Sequence, residues 1–290
     1  MNPVLALAGF GVGIVVGLTG MGGGALMTPI LVLFFGVPPL AAVSSDLVAS
    51  AVMKPFGGLV HVRRGSVRWP IVGWLCVGSI PSAFLGVVLL RVLGRGAGVQ
   101  HVVQLALGVA LMLAVVGLVA KTLSAARRPG GTDHDAPVRV RPLPTVVLGA
   151  LGGLVVGLTS VGSGSLIIVV LLALYPTLRA RDLVGTDLVQ AIPLVAAAAL
   201  GHVLFGDLHL DIAAAVLVGS VPGVLLGARL SAYAPGGLVR AALAVVLLAS
   251  ALKLLGAGSV LLVAGVAVAV AVAAGGSYLL RRRHPAAAMT

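Results

Sequence analysis

GLTGMGGGAL, from Gly17 to Leu26, returns as GLTSVGSGSL from Gly157 to Leu166. Both stretches sit inside long apolar runs, and the likeness continues downstream at one offset. SSDLV at Ser44–Val48 matches GTDLV at Gly185–Val189, His61 matches His202, and GSIPSAFLG at Gly78–Gly86 matches GSVPGVLLG at Gly219–Gly227. The chain is therefore two copies of one unit. Copies made of apolar segments of membrane length predict an all-α polytopic membrane protein, a transporter built from two repeats.

Composition agrees with that reading. Hydrophobic residues make up 60% of the chain and charged residues 9%, against roughly 25% charged in a soluble domain. Apolar runs close to the ~20 residues that cross hydrocarbon recur throughout, with Gly and Pro inside them. The opening MNPVLALAGF lacks a basic leader and a small-residue cleavage site, so it reads as the first helix and not as a removed signal. The single cysteine, Cys76, excludes an internal disulfide and offers no metal cluster, so neither cofactor nor metal is expected. The net charge of +12 comes from basic residues in short connections between apolar segments. That is topology-setting charge beside anionic lipid, and no nucleic-acid partner is implied.

Spans are predicted at 3–19, 24–36, 41–61, 69–90 and 100–120, then at 143–159, 164–176, 183–205, 211–232 and 238–255, with an unpaired helix at 258–280. The division is a first repeat over 1–120, a cytoplasmic linker over 121–142, a second repeat over 143–256, and an extra helix with a basic tail over 257–290. If segments alternate across the bilayer, fifteen of the nineteen Lys and Arg fall on one side. Arg91, Arg95 and Lys253 fall on the other, and Lys54 lies within a span. The positive-inside rule then puts the N-terminus outside and the C-terminus inside the cytoplasmic (inner) membrane. Five segments per copy is an odd number, so the copies enter from opposite sides as an inverted repeat. The second and seventh segments, at about 13 residues, are too short for the ~30 Å core and read as broken half-helices lining an internal cavity.

The chemistry concentrates at three places. Gly20, Gly22, Gly23 and Gly24 in the first copy, with Gly162 and Gly164 in the second, let backbone amides approach a ligand at a half-helix N-terminus, which suits an anion. Thr19, Thr159, Ser160 and Ser163 add hydroxyl donors, with Ser165 beside them. The bland account of the same glycines is close helix packing. Asp46 and Asp187 are repeat partners and the only acids well inside apolar segments, candidates for proton coupling with helix capping as the alternative. Lys54 lies two turns beyond Asp46 and binds the anion or neutralises an acid elsewhere. Its counterpart is Val195, so the site is asymmetric. His61 and His202 read as satisfying backbone carbonyls, and Pro81 and Pro222 as shaping the cavity through kinks.

These residues resemble the sulfite exporter family of the TauE/SafE type, also called the toluenesulfonate uptake permease family. The likeness rests on GLTGMGGGALMTPIL and its second copy, Pro38–Pro39, SSDL and GTDL, and HVRRGSVRW from His61 to Trp69. It covers nearly the whole chain apart from the linker and last helix, and departs from the family where serines replace glycines in the second cluster. The resemblance implies movement of small sulfur-containing or organic anions, such as sulfite or sulfoacetate, without ATP hydrolysis. It carries over Gly20, Gly22, Gly23, Gly24, Gly162, Gly164, Ser45, Asp46, Thr186 and Asp187. The expectation is a proton-linked secondary carrier of a small anion, not an enzyme; an anion channel, or a carrier of a small carboxylate, is the alternative. Its partners are the anion and membrane lipid, and a homo-oligomer is compatible with the sequence.

Overall fold

The computed structural model describes residues 3–19, 23–94, 96–127, 139–162, 164, 166–178, 180–205, 208–230 and 236–267. The described residues form helices and connections and no strand. In order they are α1 (Pro3–Thr19), α2 (Gly24–Phe34), α3 (Pro39–Arg63), α4 (Trp69–Leu93), α5 (Ala97–Arg127), α6 (Pro142–Thr159), α7 (Leu166–Leu174), α8 (Ala180–Phe205), α9 (Leu210–Leu230) and α10 (Gly236–Leu254). Residues 259–267 are also helical. Among the described residues, five helices are long and apolar enough to cross a membrane: α4, α6, α9 and the bulk of α5 and α8. α3 is as long as α4 but carries Asp46, Lys54 and three serines. The chain is a multi-pass membrane protein.

Boundaries follow local chemistry. Prolines at the first or second position start α3, α4 and α6, where the missing N–H costs nothing. α5 runs seven residues into the stretch read as linker, because Lys121–Arg127 (KTLSAAR) holds helix formers and no Gly or Pro. α2 and α7 are shorter than expected, at 11 and 9 residues, or about 16 and 14 Å. Pro81 and Pro222 lie inside α4 and α9, which continue past them.

The packing interleaves the two copies. α1 runs along α9, α4 along α6, and α3 along α8. Exchanging each helix for its repeat partner maps the first two pairs onto each other and the third onto itself. Lipid tails supply no hydrophobic drive between helices, so close backbone approach must hold them. Glycines four residues apart provide it: Gly9, Gly13 and Gly17 face Gly219, Gly223 and Gly227, and a Cβ on any of them would strike backbone of the facing helix. Gly149, Gly153 and Gly157 do the same against α4 at Leu75, Ser79 and Ala83. These contacts advance in the same direction along both helices, so each pair is parallel. α3 and α8 are antiparallel: Ser44 lies beside His202 at one end, and Gly185 beside Ser66 at the other.

At the Ser66 end, the α3–α4 loop is tied to the start of α8. Arg68 donates to Asp182 through Nη2 at 2.8 Å and Nε at 3.2 Å, and its backbone N–H donates to Thr186 Oγ1 at 3.1 Å. The Arg68 side chain is 44% exposed, so the pair is screened. Arg68→Ala is expected to cost about 1 kcal/mol or less. Its deficit in melting temperature against the parent should shrink as salt is added; a deficit that grows with salt would count against an ionic contribution.

Candidate functional site

α3 places Ser50, Lys54, Gly57, His61 and Arg64 at intervals of four, three, four and three residues, which puts them on one face. That face lines a cavity of about 340 Å³ closed by α1, α8 and α9. The cavity runs from exposed Arg64 to fully buried Asp187 on α8, with Val224 and Ala228 of α9 forming the opposite wall. Thr19, Gly23 and Gly164 also border it, so both glycine hinges reach the same space.

Its inner end is polar. Lys54 is within electrostatic reach of both Asp187 and Asp46. Ser50, one turn before Lys54, is 2% exposed, and its hydroxyl has no hydrogen-bond partner among the described residues. A Cβ on Gly23, the N-cap of α2, would lie 3.8 Å from that hydroxyl, and among the described residues no side chain caps α2. An ammonium, an unspent hydroxyl and a helix N-terminus thus border one cavity, a set able to hold a small oxyanion.

The two repeat-partner acids have different surroundings. Asp46 is fully buried away from the cavity lining, and its Oδ2 accepts from Thr28 Oγ1 at 3.2 Å and from Ser160 Oγ. The repeat counterparts of Thr28 and Ser160 are Ile168 and Gly20, which carry no hydroxyl. The donor pair around Asp46 is therefore missing from the second copy by sequence. Ser160 ends α6 in the left-handed conformation, φ 61°, and Gly162 and Gly164 follow at φ 132° and 98°. Gly24 packs against the Ser160 carbonyl so closely that a Cβ would overlap it. The hinge of one copy thus touches the half-helix of the other, with Asp46 joined to both.

The remaining sequence candidates are spread. The Thr19 and Thr159 hydroxyls donate to the Val15 and Val155 carbonyls, one turn back. Thr186 accepts from Arg68, and Ser45 is fully buried outside the cavity lining. Gly162 shapes the second hinge and does not border the cavity. Gly20, Gly22 and Ser163 lie outside the described residues. His202 meets the Gly157 carbonyl at 2.9 Å, a backbone contact of the kind expected, whereas His61 lines the cavity. Ser50 and Arg64 were missed, although their helical register with Lys54, four residues before it and ten after it, was the available signal. Among the described residues, no three His, Cys, Asp or Glu are grouped to hold a metal.

The family profile described as "Sulfite exporter TauE/SafE" matches residues 5–254. Among curated proteins, the chain is 36% identical over 258 residues to "Probable membrane transporter protein YjnA" of Bacillus subtilis (strain 168), covering 88% of this chain and 100% of that one. It is 25% identical over 248 residues to "Probable membrane transporter protein YdhB" of the same organism, covering 83% and 94%. It is 29% identical over 229 residues to a "Probable membrane transporter protein" of Xylella fastidiosa (strain Temecula1 / ATCC 700964), covering 76% and 83%. No solved structure matches the chain significantly.

Proposed function

Because the chain belongs to the sulfite exporter TauE/SafE family and is a membrane transporter, we propose that it is a secondary carrier. It moves a small anion, a sulfite, sulfonate or related organic anion, by proton-linked alternating access across the cytoplasmic membrane. One observation carries this reading: a cavity descends from Arg64 and His61 to Ser50, Lys54 and Asp187 beside the N-terminus of α2. The anion sits between the Lys54 ammonium, the Ser50 hydroxyl and the first-turn amides of α2. Asp187 competes with it for Lys54, so a proton on Asp187 frees the ammonium for the anion. Asp187, at the inner end of the cavity, is fully buried, which favours a carrier over an open channel.

The membrane orientation, N-terminus outside and C-terminus inside, draws on the same geometry. Parallel α1 and α9, parallel α4 and α6, and antiparallel α3 and α8 are the relations that alternating crossings require. Arg63, Arg64, Arg68 and Arg181 then share the cytoplasmic end, which is the end the cavity faces.

Thermal stabilisation of purified protein tests the substrate class. The panel is sulfite, thiosulfate, sulfoacetate, taurine, acetate and chloride at two pH values. A ligand of the folded state raises the melting temperature as its concentration passes its Kd. One sulfur oxyanion should stand out from chloride and shift the melt more at the lower pH. Equal shifts from every salt would sink the anion assignment.

A further inference from the structure

The cavity exists because α3 and α9 part toward their Arg64 and Ala228 ends. Its image under exchange of the repeats lies between α8 and α4, and that seam is shut. α4 packs along α8 more extensively than α9 along α3. Lys54, Gly57 and Val224 of the cavity wall have the counterparts Val195, Ala198 and Ala83, none more than 1% exposed. Val60 and Ala228 correspond to Gly201 and Val87, and a Cβ on Gly201 would lie 3.1 Å from the Val87 Cβ.

At the counterpart of the mouth, Phe205 is 36% exposed but packs on α4, and His202 is fully buried. Arg64 corresponds to Phe205, whose ring meets Phe84 edge to face with centroids 6.0 Å apart at 76°. His61 corresponds to His202, fully buried, whose Nδ1 is 2.7 Å from Ser44 Oγ and whose Nε2 is 2.9 Å from the Gly157 carbonyl. A carbonyl only accepts, so Nε2 carries a proton and the ring bridges α3 to α6.

We infer that the α4–α8 seam is the second gate of the transport path, opening on the opposite face as the α3–α9 cleft closes. This rests on the carrier reading above and adds the residues of the unseen half of the cycle. Two copies of one unit can exchange conformations, and the exchanged state reuses the same helix pairings with counterpart residues. Asp46, the counterpart of Asp187, then borders the new cavity once Ser160 and Thr28 release it. Deeper in the seam Gln190 of α8 donates to Ser79 Oγ of α4 at 2.7 Å; the stretch around Val87, Gly201, Phe84 and Phe205 is aromatic and aliphatic, so that stretch works as a dry gate and not as a second anion seat.

A crosslink tests this. In a Cys76→Ser background, Val87→Cys with Gly201→Cys places two Cβ atoms 3.1 Å apart across the seam, so a parting of a few tenths of an ångström brings them into the about 3.5–4.5 Å that disulfides span. Oxidation in vesicles should cut anion flux about tenfold or more, and reduction should restore it, with each single variant indifferent to the oxidant. Flux unchanged in the crosslinked protein overturns the gate. A second readout needs neither substrate nor the double variant: Val87→Cys alone should react with an impermeant maleimide from the face opposite the one that labels Ala228→Cys. Labelling of both from the same face, or of Val87→Cys from neither, also overturns it. If no anion is carried but the labelling is reciprocal, the anion assignment fails and the gate stands.

Discussion

Gly13→Leu should leave little or no monodisperse protein in detergent, whereas Gly11→Leu on the same helix should purify and melt like the parent. A Cβ at Gly13 would lie 2.5 Å from the Ser220 carbonyl oxygen and 2.9 Å from its Cα, and backbone cannot turn aside as a side chain can. α1 would have to lift from α9, losing the approach that Gly9 and Gly17 make above and below. Overpacking a core costs about 1–3 kcal/mol when side chains adjust; with backbone on both sides, the cost here should exceed that range. At Gly11 a Cβ meets nothing within 4 Å, and the residue is exposed toward lipid. Size-exclusion profiles and melts of tagged protein read the difference, with Gly13→Ala falling between. If Gly13→Leu melts as the parent does, close packing of the glycine stripes is not what holds α1 to α9.

Those stripes show what one dimension of sequence conveys. The four-residue spacing of Gly9, Gly13 and Gly17, and of Gly219, Gly223 and Gly227, is plain in the text of the chain. Which stripe meets which is not, because α1 pairs with a helix 200 residues away that belongs to the other copy. Hydropathy and the repeat were enough to give the helices, their number per copy and the two short segments, since burial in lipid imposes length and the duplication imposes order. The site was legible in part. Lys54 and Asp187 stand out as charges in apolar runs, but Ser50 is an ordinary serine until the cavity shows its hydroxyl unspent. Asp46 and Asp187 look equivalent by motif. Their division follows from Thr28 and Ser160 against Ile168 and Gly20, a contrast that means little until α2 and the second hinge are seen to converge on Asp46. Thr19 and Thr159 show a local preference that the repeat does not convey: a threonine at a helix end bonds the carbonyl one turn back.

Lys54→Gln and Asp187→Asn are expected to damage transport in different ways. Glutamine at 54 keeps a long polar side chain but removes the one cation of the inner cavity among the described residues, and a hydrogen bond to a charged group is worth about 1.5–3 kcal/mol. Anion affinity should fall about 10- to 150-fold, and with it the thermal stabilisation by the best anion of the panel. Asparagine at 187 removes the competitor and leaves Lys54 in place. In the parent, deprotonated Asp187 draws on Lys54, so anion affinity should be high at low pH and fall as pH rises through the titration of the carboxyl. Asp187→Asn should hold the low-pH affinity across the whole range, while uptake of protons alongside the anion disappears. Other charges face this space and set the controls. Asp46 also acts on Lys54, and His61 and Arg64 lie toward the mouth, so Arg64→Gln should weaken anion capture without flattening the pH profile. The decisive comparison is the slope of anion affinity against pH in parent and Asp187→Asn. An unchanged slope in the variant would move the proton-linked role off Asp187, and Asp46 behind its Ser160 and Thr28 hydroxyls would be the next group to examine by the same pair of measurements.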